Sequence, residues 1–596
     1  MNSDLNNKQR EAAYAPDGPI LVVAGAGSGK TKTLTARLAY LISQRQVPPQ
    51  AILAITFTNK AAREMKERVE KLIASHGLKG EGDPFVGTFH SFGAWLLRHE
   101  AKRFSRTNAF SIFDSDDSQR LIKRLVADLP KSPYLLPASL ARQFSRIKSE
   151  YIDAAAYVRS PHDETVWDLF TRYEAALKDN NAFDFDDLIH KPVWLLRNDA
   201  GAREKYQAMF RYILVDEYQD VNTAQYLLVK LLAASHGNVM VVGDDAQSIY
   251  KFRFSDFRNF LQFEREWPKA LVIMLEQNYR STKQIIESSS ALIAHNEVQK
   301  KKNLWTENEI GSPVRVIEHR DEFSQADAIL DEAQRMQKSG MRVGILYRTN
   351  AQSRALEQMC IEHQVPYQIF GTVSFYDRQE IKDIIAGVRM VCNPQDTLSF
   401  IRLEKNLGKR LAAAVREKLS GYTSETRPLD ILRAFVTAAD FMNRLDKKYD
   451  NASDRAENIQ ELMAFAQHFS DAASFLERVS LADTLDAQSL RSAQRHEGVP
   501  VINLMTIHVA KGLEFDGVLV AGVNEGTLPH QRSLFSPEDV EEERRLMYVA
   551  MTRARRELQL HFYSVASRFL YELPPQQVFF DRGELPDEDE QYIVYE

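Results

Sequence analysis

The run Ile20-Leu-Val-Val-Ala24, followed by Gly25-Ala-Gly-Ser-Gly-Lys-Thr31 and the helical pattern Lys32 to Ser43, constrains this chain more than any other stretch. Five consecutive apolar residues read as a strand buried on both faces, which requires a sheet covered on either side by helices. The glycines allow a turn in which successive backbone N–H groups converge, and the helix that follows aims its N-terminal dipole at the same point. Gly25, Ala26, Gly27, Ser28 and Gly29 would then cradle phosphates, Lys30 would neutralise the β/γ oxygens, and the Thr31 hydroxyl would be a ligand for Mg²⁺. Ala24 stands where the simplest form of the motif has its first glycine. A glycine turn that merely starts a helix is the bland alternative, and the full strand, loop and helix context speaks against it.

Two further strand ends carry chemistry. Tyr212-Ile-Leu-Val215 leads into Asp216-Glu217-Tyr-Gln219-Asp220, and in open parallel sheets ligands gather at the carboxyl ends of strands. Asp216 is placed to hold Mg²⁺ through water, and Glu217 to orient and deprotonate an attacking water. Asn238 to Val242 ends in Gly243-Asp-Asp-Ala-Gln247, where Gln247 either reports a γ-phosphate or lies idle on a turn. These residues define a P-loop NTPase, with kinase, transporter ATPase, GTPase and helicase all open.

The chain has 596 residues, room for about four domains or for two that each carry an insertion. Alternating apolar strands and amphipathic helices, the α/β signature, occupy 1–88 with 212–275, and again 276–380 with 501–596. Between the halves lie polar, helix-patterned segments, 89–211 and 381–500, read as helical insertions. The net charge is -6, so the chain lacks the basic surface of a general nucleic-acid binder, and any such site must be a local groove. Cys360 and Cys392 are too few for a zinc cluster or a disulfide scaffold, which fits a reduced, cytoplasmic setting. No stretch reads as a signal peptide or a membrane span, and the acidic stretch Glu584 to Glu590 reads as a solvated tail.

Ordered motifs then mark a family. Leu5 to Ala12, Ala24 to Thr31, Ile55 to Ala62, Gly87 to Phe92, Val215 to Asp220 and Gly243 to Tyr250 resemble those of the Rep/UvrD/PcrA branch of superfamily-one DNA helicases. So do Gln277 to Thr282, Leu346 to Arg354, Thr506 to Phe515 and Glu541 to Ala554. The resemblance implies two RecA-like P-loop NTPase domains, each interrupted by a mainly helical insertion, with ATP and Mg²⁺ between them. It assigns Gln9 to the adenine edge, Tyr279 to stacking on it, Glu514 to the ribose and Gln247 to the γ-phosphate. Lys32 occupies the place of an adenine-stacking arginine, and Arg68 with the finger arginines Arg280 and Arg553 completes the phosphate shell. Arg545, Val549 and Arg553 recur four apart, which predicts both arginines on one helix face.

The same resemblance assigns Phe57, Asn59, His90, Phe252, Arg348, Thr506 and His508 to a single-stranded DNA path, with Phe92 and Tyr250 left as packing residues. Base stacking on aromatic platforms contributes roughly 1–3 kcal/mol per base and tolerates any sequence. The implied activity is ATP-dependent translocation on single-stranded DNA and 3′–5′ unwinding at junctions with duplex, by a monomer or a DNA-induced dimer, in repair or replication. A translocase that strips proteins from DNA, and a DNA-binding ATP switch that recruits partners, are the rival readings. Several positions depart from the family pattern. Phe252 replaces a tryptophan, Lys251 and Phe254 replace small glycine-like residues, and Val509 fills a small or hydroxylic position. The second insertion is shortened: its end, Phe475 to Leu485, resembles the family, whereas its start, Arg402 to Lys409, only faintly resembles a helix-hairpin-helix.

Overall fold

Two parallel sheets organise the molecule in a computed structural model that describes residues 5–74, 82–127, 129, 135–370, 376, 378–448, 452–480 and 501–581. The first sheet is built from β1 (Ile20–Ala24), β2 (Ile52–Thr56), β3 (Phe85–Thr88), β4 (Tyr212–Val215), β5 (Val239–Gly243) and β6 (Leu271–Leu275). Their spatial order is β3-β2-β4-β5-β1-β6, and every neighbouring pair is parallel. Parallel neighbours cannot be joined by hairpins, so helices cross over, among them α2 (Lys30–Ser43) and α3 (Asn59–Ala74), with α1 (Asn7–Ala13) packed beside α2.

The period-two alternation of strands sorts the apolar residues onto two faces. Leu21, Val23, Leu53 and Ile55 pack with Phe89, Phe92 and Leu228 on one side, while Ile20, Val22, Ile52 and Ala54 pack with Leu34, Leu38 and Met65 on the other. Every residue of β1 and β2 is buried, which is why their sequences read as unbroken apolar runs.

The second sheet contains β7 (Val314–Glu318), β8 (Val343–Tyr347), β9 (Tyr367–Ile369), β10 (Ile502–Thr506), β11 (Phe515–Val520), β12 (Ala554–Phe562) and β13 (Val578–Asp581). They lie in the order β9-β10-β8-β11-β12-β7-β13, again parallel throughout. The helices Lys283–Ile293 and Pro537–Met551 cover one face and Glu322–Lys338 the other.

Between β3 and β4 the described residues form six longer helices, from Phe89–Glu100 to Ala200–Met209, and one parallel pair of short strands, Ser111–Phe113 with Ala182–Asp184. Within it the fully buried Lys148 ammonium is ringed by Glu174, Asp184 and Asp187 at 2.6, 2.6 and 2.9 Å. The helices between β9 and β10 run from Gln379–Cys392 to Ala472–Ser480 around their own core. There Thr397–Leu407 and Lys409–Leu419 are joined by Gly408 alone, at φ +90°, a conformation that favours glycine. The two helical regions meet where Asn393 Nδ2 donates to Ser111 Oγ and to the Asn180 and Asn181 carbonyls at 2.9–3.1 Å. The stretch from Leu481 to Leu485 and the acidic stretch Glu584 to Glu590 lie outside the described residues. Among the described residues no helix is long and apolar enough to cross a membrane.

Candidate functional site

The phosphate loop links β1 to α2 in a conformation that only glycine adopts without strain. Gly27 has φ +66° and Gly29 φ +83°. A Cβ on Gly27 would meet Asn278 Nδ2 at 2.6 Å and Arg280 Cβ at 2.8 Å, and one on Gly29 would meet Gln9 Nε2 at 2.6 Å. The loop is therefore clasped from outside as well as built from within. Asn278 Nδ2 donates to the Ala26 carbonyl at 2.7 Å, the Tyr279 N–H donates to the Gly27 carbonyl at 3.0 Å, and Gln9 Nε2 donates to the Ser28 carbonyl at 2.9 Å.

At the end of β4, Asp216 accepts a hydrogen bond from the Thr31 hydroxyl at 2.8 Å. These are two hard oxygen donors of the type Mg²⁺ uses. Burial, and then the neighbouring Glu217 charge, raise the Asp216 pKa, so a cation here would favour the ionised carboxylate that this environment otherwise penalises. Burial also acts against the Glu217 carboxylate, but Lys30 and Lys511 outweigh it and its pKa is lowered. Glu217 has φ +52°, a conformation costing an L-residue on the order of 1 kcal/mol, and such strain gathers at functional sites. Its Oε2 accepts from Gln219 Nε2 at 2.6 Å.

The loop after β5 carries Gln247, whose Nε2 donates to Asp244 Oδ2 at 2.6 Å. The second sheet meets it there: Arg553 Nη2 donates to Gln247 Oε1 at 3.2 Å, and Lys511 Nζ donates to the Gln247 carbonyl at 2.6 Å and also pairs with Asp220. Arg553 is 2% exposed, and burial followed by the nearby Arg280 lowers its pKa. Arg280 Nε donates to Glu514 Oε2 at 2.8 Å. Glu514 and Arg553 stand at the amino ends of β11 and β12, joined where the Phe515 N–H donates to the Arg553 carbonyl at 2.9 Å.

The expected helix face shared by Arg545 and Arg553 is not formed. The helix ends at Met551, so Arg553 lies beyond the Thr552 cap and turns back, its Nε donating to the Val549 carbonyl at 3.0 Å. Arg545 instead lies over the Phe257 ring at 4.5 Å. Leaving the helix is what allows Arg553 to reach Gln247. Tyr279, 48% exposed, keeps an open ring face while its hydroxyl donates to Gln277 Oε1 at 2.7 Å. Lys32 is exposed on the first turn of α2, and Arg68 is exposed on α3 beside Glu64 at 3.7 Å.

A groove of about 670 Å³ lies alongside, lined by Phe57, Asn59, His90, Phe185, Tyr250 and Phe252. Phe57 stacks on Tyr250 with centroids 5.2 Å apart, and His90 stacks on Phe185 at 3.9 Å. Phe252 is 53% exposed and meets His508 of the second sheet edge to face at 5.4 Å. Burial, and then Arg253, lower the His90 pKa to about 3; burial, and then Arg348, lower that of His508 to about 3, so both rings are neutral near pH 7. Phe92 is wholly buried, packed on Phe85 and Phe210. Phe254 sits at φ +63°, which gives a physical reason for the small residue that the family pattern places there.

Arg348 and Thr506, also assigned to the strand path, are hydrogen-bonded within the protein. Arg348 forks onto the buried Glu543, with Nη2 to Oε1 at 2.7 Å and Nε to Oε2 at 3.0 Å. The Thr506 hydroxyl caps the short helix Ile507–Ala510 by accepting from the Val509 N–H at 3.4 Å. Three residues at these sites are not singled out by the sequence: Asn278, Lys511 and Phe185. Asn278 and Lys511 lie inside the family motifs, where their neighbours carry the more distinctive chemistry. Phe185 carries a signal as an aromatic in the acidic run Asp184 to Asp187.

A phosphate cradle on one parallel sheet, closed by an arginine from a second, defines a P-loop NTPase with two RecA-like domains. Residues 5–268 match the UvrD/REP helicase N-terminal domain, and residues 273–432 and 430–565 match the UvrD-like helicase C-terminal domain. The chain belongs to the UvrD/REP helicase family. It is 37% identical to the ATP-dependent DNA helicase PcrA of Bacillus subtilis (strain 168), over 98% of this chain and 86% of that protein. The PcrA helicases of Leuconostoc citreum and Staphylococcus aureus (strain Mu50 / ATCC 700699) are 35% and 36% identical, each over 96% of this chain and covering 83% and 84% of their own lengths.

Proposed function

We propose that this ATP-dependent DNA helicase couples ATP hydrolysis to 3′–5′ movement along single-stranded DNA, unwinding duplex at junctions in repair or replication. One observation carries the coupling: a single loop serves both sites. Gln247 faces Arg553, and five residues later Phe252 faces His508, so the second sheet touches the phosphate side and the groove side of one short segment. Lys511 joins them, bonded to the Gln247 carbonyl and lying 4.9 Å from the Tyr250 ring.

In this reading Lys30 and the backbone of Gly25 to Thr31 bind the β/γ-phosphates, and Glu217 takes a proton from the attacking water. Arg280, Arg553 and Arg68 stabilise charge on the transferring phosphoryl group, where positioned positive charge is the main catalytic effect. Thr31 and Asp216 would hold Mg²⁺, which when bound supplies charge neutralisation between the phosphates. Gln9, Lys32, Tyr279 and Glu514 grip the nucleoside, for which Gln9 and Glu514 exchange their present partners Ser28 and Arg280. Phe57, Asn59, His90 and Phe252 hold the strand, with Phe185 as a further platform. Thr506, His508 and Arg348 border it from the second sheet. Opening and closing of the cleft then shifts one set of contacts past the other.

Strand displacement on matched 3′-tailed and 5′-tailed duplexes, beside a DNA-stimulated ATPase assay, tests this. Unwinding of the 3′-tailed substrate alone is expected. Preference for the 5′ tail would overturn the polarity, and fast ATPase without unwinding would identify a translocase that displaces bound proteins instead.

A further inference from the structure

Between the helix Lys283–Ile293 and the short strand Trp305–Thr306 the chain runs back over the first sheet as a strap. Its Leu304 lies so close to the phosphate loop that a Cβ on Gly25 would overlap Leu304 Cδ2. The Lys300 N–H donates to Asp245 Oδ2 at 2.8 Å. The side chain of Lys302 is buried, and its ammonium donates to Asp244 Oδ1 at 2.6 Å and to Asp245 Oδ1 at 2.5 Å.

The other Asp244 oxygen is the one that accepts from Gln247 Nε2. A relay therefore runs from Lys302 through the two oxygens of one carboxylate to the carboxamide that meets Arg553. We propose that Lys302 is a positioning residue for ATP turnover: by fixing the Asp244 carboxylate it sets the rotamer and amide sense of Gln247, and so ties γ-phosphate sensing to the seating of the strap on the phosphate loop. The inference rests on the reading of Gln247 as the γ-phosphate sensor.

Two physical arguments support the relay. Asp244 is wholly buried, and a buried carboxylate stripped of its cation is destabilised until it takes up a proton or moves toward another cation. The alternative cation is Lys30, which also acts on Asp244. Removing Lys302 thus loosens the Asp244 carboxylate that holds the Gln247 side chain, and leaves it under the pull of the lysine needed for phosphate. Moreover, a carboxamide has one donor end and one acceptor end, so a fixed donor to Asp244 dictates that Oε1 faces Arg553. Turning the amide over would set Nε2 against the guanidinium, donor against donor.

The test compares Lys302→Met, Lys302→Arg, Gln247→Ala and Lys300→Ala in the full-length chain. The last is a control that removes a cation of the same strap paired with Glu264, outside the relay. Measurements are kcat and KM for DNA-stimulated ATP hydrolysis, and the ratio of affinities for a non-hydrolysable ATP analogue and for ADP, which a general loss of packing does not move. Lys302→Met is expected to lower kcat by about tenfold or more with KM changed less than about threefold, and to reduce the analogue-to-ADP ratio at least fivefold. Lys302→Arg should recover most of kcat, and Lys300→Ala should match the parent. Parental kcat and ratio in Lys302→Met, with Gln247→Ala impaired, would overturn the relay alone. Parental values in Gln247→Ala would overturn the sensor reading on which it rests. A lowered melting temperature with the ratio preserved would show that Lys302 only holds the strap in place, and would also overturn the relay.

Discussion

Arg553 reaches from the amino end of β12 to donate to Gln247 Oε1 at 3.2 Å, joining the second sheet to the loop that follows β5 of the first. The contact is buried, and its arginine lies past the end of its helix, where the backbone is free to turn. Hydrolysis that depends on such a contact depends on closure of the cleft.

Arg553→Ala and Arg280→Ala are therefore expected to lower ATP turnover by about 10³-fold or more, the range typical of arginine fingers. Single-strand affinity should change less than about threefold, because neither side chain lines the groove. Fluorescence anisotropy with a labelled oligonucleotide, beside steady-state ATPase, checks this. An arginine whose loss abolished DNA binding and spared hydrolysis would belong to the strand path.

Lys30→Ala and Glu217→Gln should separate binding from chemistry. The first removes phosphate neutralisation and is expected to lose both ATP affinity and turnover. The second keeps the hydrogen-bonding shape beside Gln219 and should bind ATP and DNA while turning over at least about 10²-fold more slowly. Equally poor ATP binding by the two variants would contradict the separate roles.

Phe252→Ala should uncouple hydrolysis from movement. Its ring is 53% exposed, so the melting temperature is expected to stay within about 2 °C of the parent, whereas Phe92→Ala, at a fully buried ring, should cost about 3–5 kcal/mol. DNA-stimulated ATPase at saturating DNA should survive in Phe252→Ala while unwinding falls steeply, through loss of a stacking step of roughly 1–3 kcal/mol. The salt dependence of single-strand binding should keep its slope, since that slope counts phosphates neutralised. Normal unwinding per ATP hydrolysed would remove Phe252 from the strand path.

Stability should fall on mild acidification through a histidine pair in the second sheet. His561 is fully buried with Nδ1 2.9 Å from His319 Nε2; burial first, and then His319, push its pKa well below the ordinary value, and burial lowers His319 to about 4. Both are neutral in the fold, whereas in the unfolded chain they take up protons below about pH 6.5. The unfolded state then binds more protons, so this contribution is complete above pH 6.5 and is lost as pH drops toward 4. For His561 alone the loss is about 1.4 kcal/mol one unit below pH 6.5. Urea denaturation at pH 7.5 and 5.5 should show it, with a smaller pH difference in His561→Asn; an equal difference in the variant would refute the assignment.

Local sequence determined the parts of this protein whose physics is local. Ile20 to Thr31 specifies a strand, a glycine turn and a helix start wherever it is placed, because burial of an apolar run, positive φ at Gly27 and Gly29, and the helix dipole are properties of that stretch alone. The family motifs, in their order, extended this to two α/β domains with helical insertions. Tertiary structure decided which of those residues meet. The parallel order β3-β2-β4-β5-β1-β6 brings the ends of β1, β4 and β5 to one edge, and with them Lys30, Asp216 and Gln247. Four-residue periodicity put Arg553 on a helix face with Arg545, but the helix stops two residues short of it, so the arginine follows its partner and not its period. Lys302 is the extreme case. In sequence it is one of three consecutive lysines, and only the fold, by burying its ammonium against Asp244 and Asp245, distinguishes it from the others.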